Sequence, residues 1–157
     1  MNIRLAEERD LDVLAGVFSE SFTKADPEKP WSKDCAYSLL SHFLKHQPDL
    51  FFVADDNGLL KGGFGVLIKP WRDGNRCTEG CLFVGSAYQK SGLGKALFIT
   101  ILKEALEKYD AQTFEGITFA AKQFPLTWYE SIGLKADEHA VFLKGRSGEM
   151  LRSLQTS

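Results

Sequence analysis

The sequence lacks the features that mark several classes of protein. No apolar run is long enough to span a membrane, and no signal peptide precedes Asn2, so we expect a cytoplasmic protein without a membrane partner. The formal net charge of -2 lacks the basic excess of nucleic-acid-binding proteins. No linker, repeat or low-complexity stretch interrupts the 157 residues, which are 44% hydrophobic and 25% charged. These values are typical of one globular domain.

Cysteine is scarce, and its positions do not indicate a metal site or a disulfide framework. The three cysteines are Cys35, Cys77 and Cys81, an odd number that favours free thiols. Cys77 and Cys81 fall in a strand pattern with no histidine nearby. His42 and His46 share a helix face but lack the zinc-protease pattern, so a solvated face is the better interpretation. We therefore expect no metal.

Hydrophobic periodicity predicts a chain of alternating strands and helices in the order β-α-α-β-β-β-α-β-α-β-β. Helix spacing is found at residues 10–18, 32–46, 93–109 and 125–132. Strand-type runs are found at 2–6, 50–54, 60–69, 77–84, 114–121, 134–136 and 140–144. A central hairpin turn at Asp56-Asn57-Gly58, followed by a β-α-β crossover, implies an α/β (α+β) fold with a mixed sheet. Residues 1–145 form the expected single domain, and 146–157 a polar tail or short helix.

One stretch is typical of a phosphate site. The apolar run that ends at Val84 is followed by a polar segment with Gly92 and Gly94, and a long helical pattern starts at once. The first turn of a helix leaves backbone N–H groups unpaired, and the helix dipole is positive there. Such a turn binds phosphate oxygens well.

Two common phosphate motifs do not fit this stretch. An ATP P-loop requires glycine where Gln89 stands, and serine or threonine where Ala96 stands. A dinucleotide fingerprint requires its third glycine at Leu97, and an acidic residue after the following strand, which is also missing.

The pattern that remains is Gln-x-x-Gly-x-Gly at residues 89–94, after a strand that ends in Leu-Phe-Val. A second segment, Trp128-Tyr129-Glu130-Ser131-Ile132-Gly133-Leu134, follows about forty residues later. Together these motifs resemble the GNAT superfamily of N-acetyltransferases, and the resemblance covers nearly the whole chain. It implies a mostly antiparallel central sheet with helices on both faces and acetyl-CoA as co-substrate. It also implies direct transfer of the acetyl group to a primary amine of a small molecule or peptide.

The resemblance assigns roles to residues. The pantetheine arm of CoA would lie along the backbone of the strand, and the pyrophosphate would lie in the loop; the residues implied are Leu82, Phe83, Val84, Gln89, Lys90, Ser91, Gly92, Leu93, Gly94 and Lys95. The Val84 N–H would stabilise the oxyanion. Tyr129 would protonate the leaving thiolate, with simple packing as the alternative. Glu79 is a candidate general base, and a solvated carboxylate is an equal alternative because a bulge would change its face.

The acceptor is less well defined. The fold implied by the resemblance would bound its pocket with loops that carry Asp26, Glu28, Trp31, Trp71, Asp73 and Glu138. Carboxylates with exposed aromatic rings suit a cationic amine, but ordinary loop composition explains them equally well. Two further hypotheses are a non-catalytic acyl-CoA-binding or sensing domain and a transferase of longer acyl groups. Many relatives dimerise, and the sequence leaves a homodimer open.

Overall fold

The structure is a computed structural model that describes residues 1–156. The chain divides into two compact units, Met1–Ile117 and Thr118–Ser157. The first unit holds the sheet and three long helices, and the second holds two shorter helices. No helix of the described residues is both long and apolar enough to cross a membrane.

The sheet of the first unit has five strands whose spatial order equals their chain order. They are β1 (Asn2–Leu5), β2 (Phe51–Asp56), β3 (Leu59–Trp71), β4 (Gly74–Val84) and β5 (Thr113–Phe114). The first four pair antiparallel with their neighbours, and β5 pairs parallel with β4. The predicted mixed, mostly antiparallel sheet is therefore confirmed.

Three helices flank the sheet: α1 (Leu11–Ala25), α2 (Lys33–His46) and α3 (Leu93–Tyr109). Ser32 caps α2, because its hydroxyl accepts the Cys35 N–H at 3.1 Å. The start and end of α3 also agree with the prediction. Residues in the left-handed region, Gly92 and Asp110, flank that helix on each side.

The helices lie on both faces of the sheet, as predicted. Gly65 of β3 faces α2, because a Cβ placed on it would lie 3.0 Å from the Phe43 ring. Its neighbour Phe64 faces α3, with its ring centroid 5.0 Å from that of Phe98. Side chains alternate along a strand, so β3 contributes to an apolar core on each side.

The β2–β3 turn is the predicted hairpin, with positive φ at Asn57 and Gly58. The β3–β4 hairpin is longer than predicted, because residues 70–76 were expected to form a loop and are mostly paired. Trp71 pairs with Gly74, and only two residues remain in the turn. Polar side chains contribute to this pairing, since Arg76 binds Asp73 at 2.9 Å and Glu115 at 3.0 Å.

The end of the predicted element order is wrong. β5 contains only Thr113 and Phe114, although the sequence predicts a strand over 114–121, and neither 134–136 nor 140–144 forms a strand in the described residues. A strand requires hydrogen bonds to a neighbouring strand, and residues 116–121 pair with no other strand in the described part of the chain. The two closing segments are apolar but have no such ladder.

The second unit contains α4 (Leu126–Ser131) and α5 (Ser147–Thr156). Gly133 follows the end of α4, with φ of 105° and its N–H donated to the Glu130 carbonyl at 3.2 Å. Within the predicted tail or short helix at 146–157, the described residues Ser147–Thr156 form a helix. Every described residue of this unit is at least partly exposed to solvent.

Candidate functional site

The edge of β4 that faces away from β3 is open over most of its length. β5 pairs with Arg76 and Cys77 only, and the Glu115 N–H adds one bond to the Cys77 carbonyl at 3.0 Å. From Thr78 to Val84, no strand of the described residues pairs with this edge. A sheet edge of this kind presents backbone N–H and C=O groups that an extended ligand can pair with.

The backbone of Val84 points towards this open edge. The Gly85 N–H donates to the Lys61 carbonyl of the β3 strand at 2.9 Å. Successive residues of a strand direct their backbone groups to opposite edges, so those of Val84 point away from β3. The Gln89 side-chain amide confirms this direction, because it donates to the Val84 carbonyl at 3.1 Å.

The same alternation separates the three strand residues of the predicted CoA site. Leu82 is two residues before Val84, and its backbone also points to the open edge. The Phe83 carbonyl points instead to β3. It lies so close to Gly62 that a side chain at that position would collide with it. Leu82 and Val84 therefore offer backbone groups at the edge, and Phe83 does not.

The loop after β4 is shaped for an anion. Lys90 and Gly92 both have positive φ, 62° and 84°, and Gly92 is the N-cap of α3 without a capping side chain. The first helical bond runs from the Ala96 N–H to the Gly92 carbonyl at 3.0 Å. The N–H groups of residues 93–95 precede that bond, and the exposed Lys90 and Lys95 add positive charge.

Other loop contacts hold this shape. The Ser91 hydroxyl donates to the Tyr88 carbonyl at 2.6 Å. Gln89 donates to Val84 as described above, so its amide links the loop to the strand end. This link was not predicted from the sequence, although the five-residue separation is short enough to suggest it. The predicted loop residues 89–95 thus surround one helix N-terminus, which fits a phosphate-bearing ligand.

Glu79 lies in a β-bulge. Gly65 pairs with Cys81 and Leu67 pairs with Thr78, so Glu79 and Gly80 together face the single residue Val66. The φ of Glu79 is 54°, a value uncommon for a residue with a side chain. Its side chain is exposed and makes no hydrogen bond or ion pair with any described residue. The carboxylate is therefore available to a ligand.

The bulge also separates the two cysteines of β4. Cys81 packs beside the core on the α1–α2 side, whereas Cys77 is buried outside that cluster. Burial raises the pKa of the Cys77 thiol to about 11 and that of the partly exposed Cys81 to about 12. Both thiols are therefore neutral at pH 7, which makes them poor nucleophiles. Among residues 1–156, no three metal-binding side chains form a cluster.

The carboxylate of Glu20, in α1, contacts Ser86, which lies two residues after the end of β4. Glu20 accepts a short hydrogen bond from the Ser86 hydroxyl, and the Ser86 N–H lies 3.5 Å from its other oxygen. This contact joins positions 66 residues apart, and nothing in the local sequence indicates it. It fixes the C-terminal half of α1 against the end of β4.

Tyr129 lies in the second unit, in α4. Its backbone N–H donates to the Pro125 carbonyl at 3.0 Å, and its carbonyl accepts the Leu134 N–H at 3.1 Å. Its ring centroid lies 5.1 Å from that of Trp128. Glu138 of the predicted acceptor loops also lies in the second unit, and the other predicted site residues lie in the first.

Residues 14–125 match the family model of the Acetyltransferase (GNAT) family. The chain belongs to this family. No protein of curated function matches the sequence. The match covers α1 to the start of the second unit and includes the β4 edge and the glycine loop, so the GNAT acetyltransferase family supports acyl transfer as the general activity.

Solved structures share the GNAT fold at low sequence identity. A transcriptional regulator from Bacillus halodurans C-125 is 20% identical, with a TM-score of 0.73 over 92% of this chain and 99% of that one. A Trypanosoma brucei acetyltransferase is 21% identical, with a TM-score of 0.61 over 91% and 98%. An aminoglycoside N-acetyltransferase in complex with CoA is 18% identical, with a TM-score of 0.66 over 92% and 94%. These likenesses concern the fold alone.

Proposed function

We propose that this GNAT protein transfers the acetyl group of acetyl-CoA to a primary amine of a small molecule or peptide. One observation carries the proposal: the open edge of β4 leads directly into a glycine-capped helix N-terminus with two lysines. An extended amide-bearing arm that ends in a pyrophosphate matches this combination, because the edge offers hydrogen bonds and the helix offers charge. The solved relative with bound CoA has the same fold.

The chain's own groups suit the chemistry of a thioester. Bound acetyl-CoA would supply the activated acetyl group, and the amine nitrogen would form a bond to the carbonyl carbon as the carbon–sulfur bond breaks. The Val84 N–H, directed to the open edge, would donate to the carbonyl oxygen as negative charge develops there. Glu79 would take the proton that the amine loses. By the motif resemblance, Tyr129 would return a proton to the leaving sulfur. If the Tyr129→Phe variant turns over as fast as the wild type at every pH, Tyr129 has no such role.

A pair of charge reversals on one helix tests the binding site. Lys95 lies in the first turn of α3, and Lys103 is an equally exposed lysine two turns further on. We expect Lys95→Glu to weaken acetyl-CoA binding about tenfold or more in calorimetry, because the new charge faces the pyrophosphate. Lys103→Glu should bind like the wild type. A carboxylate in the first turn favours the helix, so misfolding does not explain the loss.

Turnover separates the enzyme from a sensor. Free thiol is followed while acetyl-CoA is mixed with a panel of alkylamines, arylalkylamines, polyamines and peptides. Release that depends on an amine supports the proposal. If acetyl-CoA binds but no amine releases CoA, the chain is an acyl-CoA-binding domain instead. Replacement of acetyl-CoA by succinyl-CoA in the same assay tests the acyl length, and faster turnover of succinyl-CoA would contradict the acetyl assignment.

A further inference from the structure

Four aromatic rings form a continuous cluster between the core and the surface of the first unit. We call Phe18, Phe22, Trp31 and Phe83 the aromatic wall. Phe22 stacks on Phe18 at 4.3 Å, and Trp31 meets Phe18 edge-on at 4.9 Å. Phe18 reaches Phe83 of β4 at 5.4 Å. Phe18 and Phe83 are buried, whereas Trp31 is 37% exposed, so the outer part of the wall faces solvent.

The outer part of the wall is held in place. The backbone N–H of Trp31 donates to the Thr23 hydroxyl at 2.9 Å, which ties the loop between α1 and α2 to the end of α1, and the Trp31 ring packs against Phe18. A large aromatic ring that is fixed in the free protein loses little entropy when a ligand covers it. This anchoring suits a binding surface, and such surfaces are enriched in tryptophan.

The wall lies beside the proposed reaction site. Phe83 immediately precedes Val84, and its side chain lies on the α1–α2 side of the sheet. Cys81 shares that side, since it is two residues earlier in the strand. Its thiol is neutral at pH 7 because burial raises the thiol pKa to about 12. The side chains at the end of β4 on this side of the sheet are therefore apolar, and the buried Phe83 ring joins them to the wall.

The charges balance within the segment that leads from α1 to Trp31. Lys24 and Lys29 offset Asp26 and Glu28 in the segment that leads to Trp31. The next lysine, Lys33, is paired with Asp12 at 3.0 Å. A polycationic acceptor would require an excess of carboxylates, as charge complementarity demands. The segment has no such excess.

Trp71 is a second exposed tryptophan that the loop pattern placed near the acceptor. It pairs with Gly74 at the far end of β4, about 30 Å from Val84 at roughly 3.3 Å per residue. It therefore lies too far away to contact an amine that reacts beside Val84. Trp71 is a suitable control for Trp31, because it is 50% exposed and lies outside the site.

We infer that the acceptor is a primary amine carried on a flat apolar body, an arylalkylamine, and that Trp31 and Phe22 receive this body. The inference rests on the proposed function and specifies its substrate class. An aromatic ring gains from edge or offset contact with the wall in addition to the area it buries. A short alkylamine lacks this contact, and a polyamine finds no excess of carboxylates in the segment that leads to Trp31.

Three probe amines test the inference with acetyl-CoA in excess: 2-phenylethylamine, butylamine and spermidine. Thiol release is measured for the wild type, Trp31→Ala, Trp31→Phe and Trp71→Ala. We expect kcat/KM of the wild type to be at least tenfold higher for 2-phenylethylamine than for the other two. Trp31→Ala should raise KM about tenfold for 2-phenylethylamine and less than twofold for butylamine. Trp31→Phe should retain most of the preference, and Trp71→Ala all of it.

Two results would overturn the inference while the proposed function stands. One is a wild-type preference for spermidine or butylamine. The other is an equal loss of kcat/KM for all three amines in both Trp31 variants, which is expected if Trp31 only covers the core. If no amine reacts, the proposed function fails separately. Calorimetric binding of 2-phenylethylamine in the presence of CoA then tests the wall directly. Binding that Trp31→Ala weakens supports it, and no binding, or binding that Trp31→Ala leaves unchanged, contradicts it.

Discussion

At the scale of single residues, the environment of a side chain decides its chemistry more than its type does. The three cysteines of this chain illustrate the point. Cys35 is exposed on α2, whereas the thiols of Cys77 and Cys81 have pKa values raised by burial. A thiolate is the reactive form, so the two β4 cysteines should be inert in the folded protein.

A thiol titration checks this expectation. With a disulfide reagent at pH 8, we expect the native protein to react rapidly at one thiol and the protein in guanidinium chloride to react at all three. Cys35→Ser should remove the rapid phase. Rapid reaction of two or more thiols in the folded protein would show that the β4 thiols are not shielded.

Glu79 is the residue whose role depends most on its surroundings. The bulge exposes its carboxylate five residues before Val84. If Glu79 is the general base, Glu79→Gln should lower kcat by about 10²- to 10⁴-fold. Glu107→Gln, at an exposed position of α3, is the control. A similar kcat for wild type and Glu79→Gln would leave Glu79 as a solvated carboxylate.

At the scale of elements, the approach of β3 to β4 determines where the open edge begins. Gly62 pairs with Val84, and a Cβ at this position would collide with the Phe83 carbonyl. Only glycine therefore lets the two strands meet at the end of β4. The neighbour that requires glycine here is therefore the backbone of β4.

An alanine pair tests this contact. Gly62→Ala should destabilise the fold by about 1–3 kcal/mol, because the backbone of β4 must move, and should weaken acetyl-CoA binding. Gly16→Ala on α1 is the matched control, since its Cβ would meet nothing within 4 Å. It should stabilise the protein by up to about 1 kcal/mol. Equal urea midpoints for the two variants would contradict the close approach.

The elements differ in how far the sequence could predict them. The bounds of α3 and the caps of α2 depend on neighbours within four residues, so the local sequence pattern was enough to predict them. The direction of the Phe83 backbone depends on the register with β3, and the bulge at Glu79 depends on how two strands pair. β5 and the closing segments 134–136 and 140–144 could not be predicted, because a strand also requires a partner that the local sequence does not specify.

At the scale of the whole molecule, a partly buried ion-pair network joins distant parts of the first unit. Arg4 of β1 binds Asp10 at 2.8 Å and Asp55 of β2 at 2.9 Å. Asp10 is only 5% exposed, and its hydrogen bonds to Arg4 hold the pKa of its carboxyl below the ordinary value of 3.8. The stability that Asp10 contributes is present above this value and lost as the pH falls through the lowered pKa.

The network predicts a change in acid stability. Asp10→Asn should cost about 2 kcal/mol at pH 7, because Arg4 loses a charged partner, and should flatten the fall in stability below pH 4. Asp12→Asn, which breaks an exposed pair with Lys33, should cost less than about 0.5 kcal/mol. Urea unfolding at several pH values measures both. An unchanged pH slope in Asp10→Asn would contradict the role given to Asp10.

The chain belongs to the GNAT family, and the residues proposed to bind CoA all lie in its first unit. The homodimer stays a prediction, as does the role of Tyr129. The proposed CoA-binding site is the β4 edge together with the start of α3. Leu82 and Val84 should contact the arm of acetyl-CoA through their backbone, and Phe83 between them should not.

Backbone amide resonances measured during an acetyl-CoA titration test this claim most directly. We predict that the amides of Leu82, Val84 and residues 93–95 shift strongly, because they point to the open edge or the helix N-terminus. The Phe83 amide, which faces β3, should shift much less. Equal shifts at Phe83 and Val84, or the largest shifts far from both β4 and the start of α3, would contradict the account.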